Sequence, residues 1–107
     1  MYSVRSHGFE FAWDGAKNRA NGRRHGVSFE EAATVIDDGH SLRYCDPEHS
    51  DDEERFLLVG MSSRFRVLFV SYCYRENETI IRIISARKAN GQETKTYQRQ
   101  RHDAGPL

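Results

Sequence analysis

The sequence lacks any apolar run near the ~20 residues of a membrane-spanning helix, and its start, MYSVRSHGFEF, has no apolar centre of an export signal. Its two cysteines, Cys45 and Cys73, show no metal-ligand spacing. They read as reduced thiols of a cytoplasmic protein rather than as an exported disulfide framework. There is no phosphate-cradling glycine loop, no zinc motif and no nucleophile elbow. Repeats, linkers and low-complexity tracts are also missing. These absences remove membrane proteins, nucleotide-loop enzymes and serine hydrolases from consideration, and they imply no cofactor and no metal. Cys45, His49, Asp51 and Asp52 match no known metal spacing and read as part of a solvated acidic loop.

What is present is charge, unevenly spread. The chain has 107 residues, 37% hydrophobic and 30% charged, with a net charge of zero. That size fits one domain over residues 1–107, with 1–8 and 100–107 peripheral. Residues 37–54 hold eight acids and one base, whereas 55–107 hold ten bases and four acids. Thirteen of the sixteen cationic residues are arginine. Guanidinium forks match phosphate geometry better than ammonium groups do, so the second half suits a phosphate-rich partner.

The order of elements reads β-α-α-β-β-β-β-α. Phe9–Trp13 alternates as a strand burying Phe9, Phe11 and Trp13. Asp14 caps a helix to about Arg24, ended by Gly26. Ser28 and Glu31 form a capping box for a second helix through Ile36, stopped by Asp37-Asp38-Gly39. Leu42–Cys45, Arg55–Met61, Arg64–Tyr74 and Thr79–Ala86 read as strands, the middle two turning at Ser62-Ser63 and the last two at Asn77-Glu78. Asn90 and Glu93 open a last helix through Tyr97. The expectation is an α+β fold, a small, mostly antiparallel sheet with helices packed on one face.

The stretch TIIRIISARKA places Arg82 among four isoleucines. Alternation puts Arg82 and Arg87 on opposite faces of an ideal strand. They share a site only if the strand ends or bulges near Ser85. We expect Arg82 to project from the open face and the backbone to turn beyond Ser85, bringing Arg87 round. Further cations are Arg55, Arg64 and Arg66 along the hairpin. A stripe of Lys17, Asn21 and Arg24 lies on the first helix, with His25 beside it. Such a set can stabilise a phosphorane. In RNA the substrate's own 2′-hydroxyl is the nucleophile, and His25 could move a proton. Tyr72, Tyr74 and Tyr97 could stack on bases, whereas Trp13 reads as core.

FAWDGAKNRANGRRHGVSFEEAATV, DDEERFLLVGMSSRFRVLFVSYCYRE and IIRIISARKANGQETKTY resemble the BrnT family of bacterial toxins over about Phe9 to Tyr97. The resemblance rests on W-D-x-x-K, H-G-V-S-F, E-R-x-x-x-x-G, R-I-I-S-A-R and E-x-x-x-Y in combination. Its motif residues here are Trp13, Asp14, Lys17, His25, Arg55, Arg82, Arg87, Glu93 and Tyr97. The chain departs from the pattern at Ala12, where an acidic residue is expected, and in its extended start. The resemblance implies a RelE-like fold and the toxin of a type II toxin–antitoxin pair that cuts RNA. It also implies a BrnA-like ribbon-helix-helix antitoxin, DNA being contacted only through that partner. On this reading Arg82 and Arg87 neutralise the scissile phosphate, Lys17 holds a neighbouring one, and His25 transfers a proton. Arg55, Arg64 and Tyr97 bind the RNA. The competing expectation is a non-catalytic toxin fold acting as corepressor with its antitoxin; a third, weaker one is a small-ligand enzyme on an unrelated α+β fold.

Overall fold

The computed structural model describes residues 2–6, 9–46, 54–75 and 78–103, with the backbone alone at 2–6 and 103. The acidic-loop residues His49, Asp51 and Asp52, and Asn77 of the last turn, lie outside the described residues. Six strands form one sheet in the order β1-β2-β6-β5-β4-β3. They are β1 (Tyr2–Ser6), β2 (Phe9–Trp13), β3 (Leu42–Cys45), β4 (Arg55–Met61), β5 (Val67–Arg75) and β6 (Ile80–Lys88). The helices are α1 (Gly15–His25), α2 (Phe29–Ala33) and α3 (Gly91–Asp103), and a 3-10 turn over Thr34–Asp37 follows α2. All strand pairs are antiparallel except β2 with β6. The fold is the expected α+β arrangement with one strand added: β1 runs antiparallel along β2 and covers what would be its free edge.

One sheet face is packed. Phe11 and Trp13 of β2, Leu58 of β4, Leu68, Val70 and Tyr72 of β5, and Ile81, Ile83 and Ala86 of β6 share it. Val27, Phe29, Ala32 and Val35 cover them from α2 and its flanks. Phe29 and Val35 are almost wholly excluded from water, so each contributes roughly 1.5–3 kcal/mol by burial.

The caps work as the residue types dictate. Asp14 accepts a hydrogen bond from the Lys17 N–H at 3.1 Å, and α1 ends at Gly26 with φ 69°, where glycine carries no Cβ penalty. Asn90 and Glu93 cap each other reciprocally, both bonds at 2.8 Å. The second capping pair is only half formed. Ser28 Oγ does accept from the Glu31 N–H. The Glu31 carboxylate, however, turns to Arg66 and to Ser62 Oγ, because those donors lie in the buried joint between α2 and the β4–β5 turn. The helix itself is shorter than its pattern suggests and tightens into the 3-10 turn after Ala33.

Gly60, the glycine of E-R-x-x-x-x-G, explains another motif position. A Cβ there would sit 2.8 Å from Ser41 Cβ and 2.8 Å from Val35 Cγ1. The sheet and the segment after α2 can approach so closely only over a residue without a side chain.

Candidate functional site

The second sheet face carries the cations, and a bulge decides which. Ser71 pairs with Ser85, but Tyr72 pairs with Ile83, so Ile84 is an extra residue in β6. Before the bulge Ile81 and Ile83 face the core, leaving Arg82 on the second face. After it the phase flips, so Ala86 faces the core and Arg87 joins Arg82. The strand runs on to Lys88 rather than ending at Ala86, and the expected reorientation of Arg87 comes from within it.

Cross-strand register adds a third arginine. Ala12, Arg82, Cys73 and Arg55 form one row across β2, β6, β5 and β4. Arg82 and Arg55 therefore flank Cys73 on one face, with backbones about 10 Å apart across two strand spacings. Cys73 is buried and Cys45 is exposed, and neither is in a disulfide. Arg87 lies about 15 Å from Arg82 along the strand, allowing for the bulge.

Asn21 pins the bulged strand. Its amide donates to Ala86 O at 2.8 Å and accepts from the Ala86 N–H at 3.2 Å, as a neighbouring strand would. It also donates to Val27 O at 2.8 Å. So α1 takes over the edge of β6 where β2 has ended. The stripe Lys17, Asn21, Arg24 is accordingly not a solvated cationic face: Asn21 is buried, and only Lys17 and Arg24 are exposed. Polarity hid this role, since the amide satisfies both backbone groups of one strand residue.

Arg87 is held from two sides. Its guanidinium makes a bidentate pair with Glu93, at 2.8 and 2.9 Å, and lies 4.1 Å above the Phe69 ring. The Arg87 guanidinium holds the Glu93 carboxyl below its usual range. Glu93 thus serves twice, capping α3 and orienting the arginine. Arg101 of the same helix reaches Met61, which shares the second face by register, so α3 lies against this face at the Arg87 end and not, as expected, on the same face as the other helices.

The remaining expected site residues divide. Lys17 and Arg82 both act electrostatically on Asp14, whose carboxyl is lowered chiefly by the hydrogen bond from the Lys17 N–H. Lys17 and Arg82 therefore belong to one neighbourhood. His25 stands eight residues further along α1, about 12 Å of helical rise from Lys17, and no hydrogen bond or ion pair among the described residues ties it to Arg82 or Arg87. Arg64 lies not in a strand but in the Ser62–Arg66 turn, because β5 begins only at Val67. Tyr97 offers no surface to a base. It is buried, its hydroxyl donates to Asp38 Oδ2 at 2.5 Å, and burial together with that carboxylate pushes its pKa up to about 12. Among the described residues no three His, Cys, Asp or Glu side chains gather into a possible cation site.

The description "Ribonuclease toxin, BrnT, of type II toxin-antitoxin system" matches residues 13–93, about three quarters of the chain. The chain belongs to the BrnT family. The matched range includes the W-D-x-x-K, H-G-V-S-F and R-I-I-S-A-R segments, which form the strand end, helix caps and bulged strand just described. The fold is similar to that of the Brucella abortus ribonuclease toxin BrnT, known from a 1.1 Å crystal structure. That match has a TM-score of 0.55 and 20% identity, and it covers 75% of this chain and 95% of that one. A search of the curated proteins found no match. Membership makes this chain a ribonuclease toxin by family, with an antitoxin partner implied. Among the described residues no helix is long and apolar enough to cross a membrane.

Proposed function

We propose that the chain is an endoribonuclease that cleaves RNA by metal-independent transphosphorylation on its second sheet face. The observation that carries this reading is the bulge at Ile84, which sets Arg82 and Arg87 on one face with Arg55 in register beside Arg82. The substrate's 2′-oxygen attacks the adjacent phosphorus and the P–O5′ bond breaks. A 2′,3′-cyclic phosphate and a free 5′-hydroxyl result. The 2′-hydroxyl proton leaves as the new bond forms, and the 5′-oxygen gains one as it departs.

Arg82 and Arg55 stabilise the extra charge of the phosphorane, a task that preorganised donors perform best where water is excluded. Arg87, already oriented by Glu93, holds the phosphate on one side. Lys17, beside Asp14, fits a phosphate on the other. Tyr97 is left out as a structural residue, and His25 carries no step here. The partner is a BrnA-like ribbon-helix-helix antitoxin in the cytoplasm, and DNA is met only through it.

The test is expression of the chain alone in bacteria, beside Arg82→Ala, with growth and total RNA followed. Arrest with RNA loss for the wild type, relieved in the variant, is expected. Undisturbed growth and intact RNA with folded protein present would leave a non-catalytic corepressor as the better account.

A further inference from the structure

The β4–β5 turn shows Phe65 to solvent at 83% exposure, with φ 61°. A bulky aromatic in the left-handed region is an outlier that glycine would avoid. The turn has no freedom to relax it. Ser62 N–H donates to Arg66 O at 2.8 Å, and Phe65 N–H donates to Ser62 O at 2.9 Å. Ser62 Oγ accepts from Arg64 N–H at 3.2 Å and donates to Glu31 at 2.6 Å. Arg66, the far end of the turn, is clamped by Glu31 and donates to Gly26 O at 3.1 Å. That last bond brings the end of α1, with Arg23, Arg24 and His25 in its final turn, against the turn that carries Phe65.

A strained, rigidly held, exposed ring beside several cations calls for a ligand with both a flat face and negative charge. We infer that Phe65 is a stacking platform for an unpaired base of single-stranded RNA, with Arg64 and the Arg23–Arg24 end of α1 holding the flanking phosphates. The inference rests on the RNA reading above and adds a second subsite to it. Phe65 stands four residues before Phe69, the ring under Arg87, so the platform lies within about 15 Å of the proposed cleavage face. The ring is isolated: Ser63 and Arg64 next to it are exposed and polar. A protein partner would need a wider apolar patch around such an anchor, whereas a base needs one ring face and nearby cations.

The experiment compares wild type, Phe65→Gly, Phe65→Trp and Arg64→Ala. It reads thermal unfolding and binding of a short fluorescent 2′-O-methyl RNA, which lacks the internal nucleophile and is not cut. Phe65→Gly relieves the strain, so its melting temperature rises by about 4 °C or more while RNA binding weakens about tenfold. Phe65→Trp binds at least as tightly as wild type. Arg64→Ala lowers the slope of log affinity against log salt by about one. A more stable Phe65→Gly that binds RNA as the wild type does overturns the platform, and cleavage of the matching unmodified RNA by the wild type, assayed in parallel, leaves the nuclease reading standing. If wild type neither binds nor cuts RNA, the nuclease reading falls and takes the platform with it. If Phe65→Gly keeps RNA affinity but loses affinity for the cognate antitoxin, the ring is a protein contact and the proposal is wrong.

Discussion

The two faces of the sheet use the same strands for opposite ends. The packed face is apolar from Phe11 to Ala86, and the buried carboxylate at its rim, Glu31, is matched by Arg66 and Ser62. Even the small pocket lined by residues such as Phe11, Ile36, Leu58 and Tyr72 is apolar and has nothing to offer a phosphate. The second face carries Arg55, Arg82 and Arg87, the last paired with Glu93 of α3. Stability is thus concentrated on one face and phosphate chemistry on the other. A single inserted residue, Ile84, lets one strand serve both: isoleucines inward before the bulge, alanine inward after it, arginines outward throughout.

That division can be broken from either side, and the largest stability effect belongs to the packed face. Glu31→Ala strands Arg66 at the buried joint and is expected to cost about 3 kcal/mol, the lower end for a broken buried pair because Arg66 is partly exposed. Chemical denaturation measures it. Asn21→Ala is expected to cost about 2 kcal/mol by leaving both Ala86 backbone groups unpaired. It should also lower activity, because the strand that aims Arg87 loses its support. Tyr97→Phe removes one hydrogen bond to Asp38 and should cost about 1 kcal/mol while leaving RNA affinity intact.

The smallest effect is a pH dependence. Folding depresses the carboxyls of Glu31 and Glu93 through their arginines. Burial of Asp38 opposes its ionisation, but hydrogen bonds from the Met61 N–H, Tyr97 and the His40 N–H outweigh it, so this carboxyl is lowered as well. Each contributes stability that is present above its ordinary pKa and lost as pH falls through the depressed one. Denaturation midpoints should be level above about pH 5 and fall below it. Midpoints that rose on acidification would contradict these ion pairs.

Much of the packed face was legible because it follows simple rules. Alternation located β2, Asp14 and Gly26 bounded α1, and Asn90 with Glu93 opened α3 as a reciprocal capping box. The second face was legible only as a condition: period two separates Arg82 from Arg87, and the insertion that reunites them leaves no trace in the run of isoleucines. Asn21 and Tyr97 were misread for one reason. A polar group that finds its partner inside the fold, here Ala86 or Asp38, has the same sequence signature as one meant for solvent or ligand. Glu31 was read by local spacing as a cap, but a residue 35 positions away supplied a better partner. Long-range pairings of this kind are set by how elements pack, not by the segment that contains them.

The most direct measurement is cleavage of a single-stranded RNA by purified wild type, Arg82→Lys and Arg82→Ala in the presence of EDTA, with folding checked by thermal unfolding. The wild type is expected to cut, leaving 2′,3′-cyclic phosphate ends. Both variants should melt within a few degrees of the wild type, a small change for an exposed-face substitution. Arg82→Ala should be slower by about a hundredfold or more. Arg82→Lys should fall between the two, because an ammonium group keeps the charge but not the fork. A folded Arg82→Ala that cuts as fast as the wild type would contradict the second-face site, and wild-type cleavage abolished by EDTA would contradict the metal-independent chemistry.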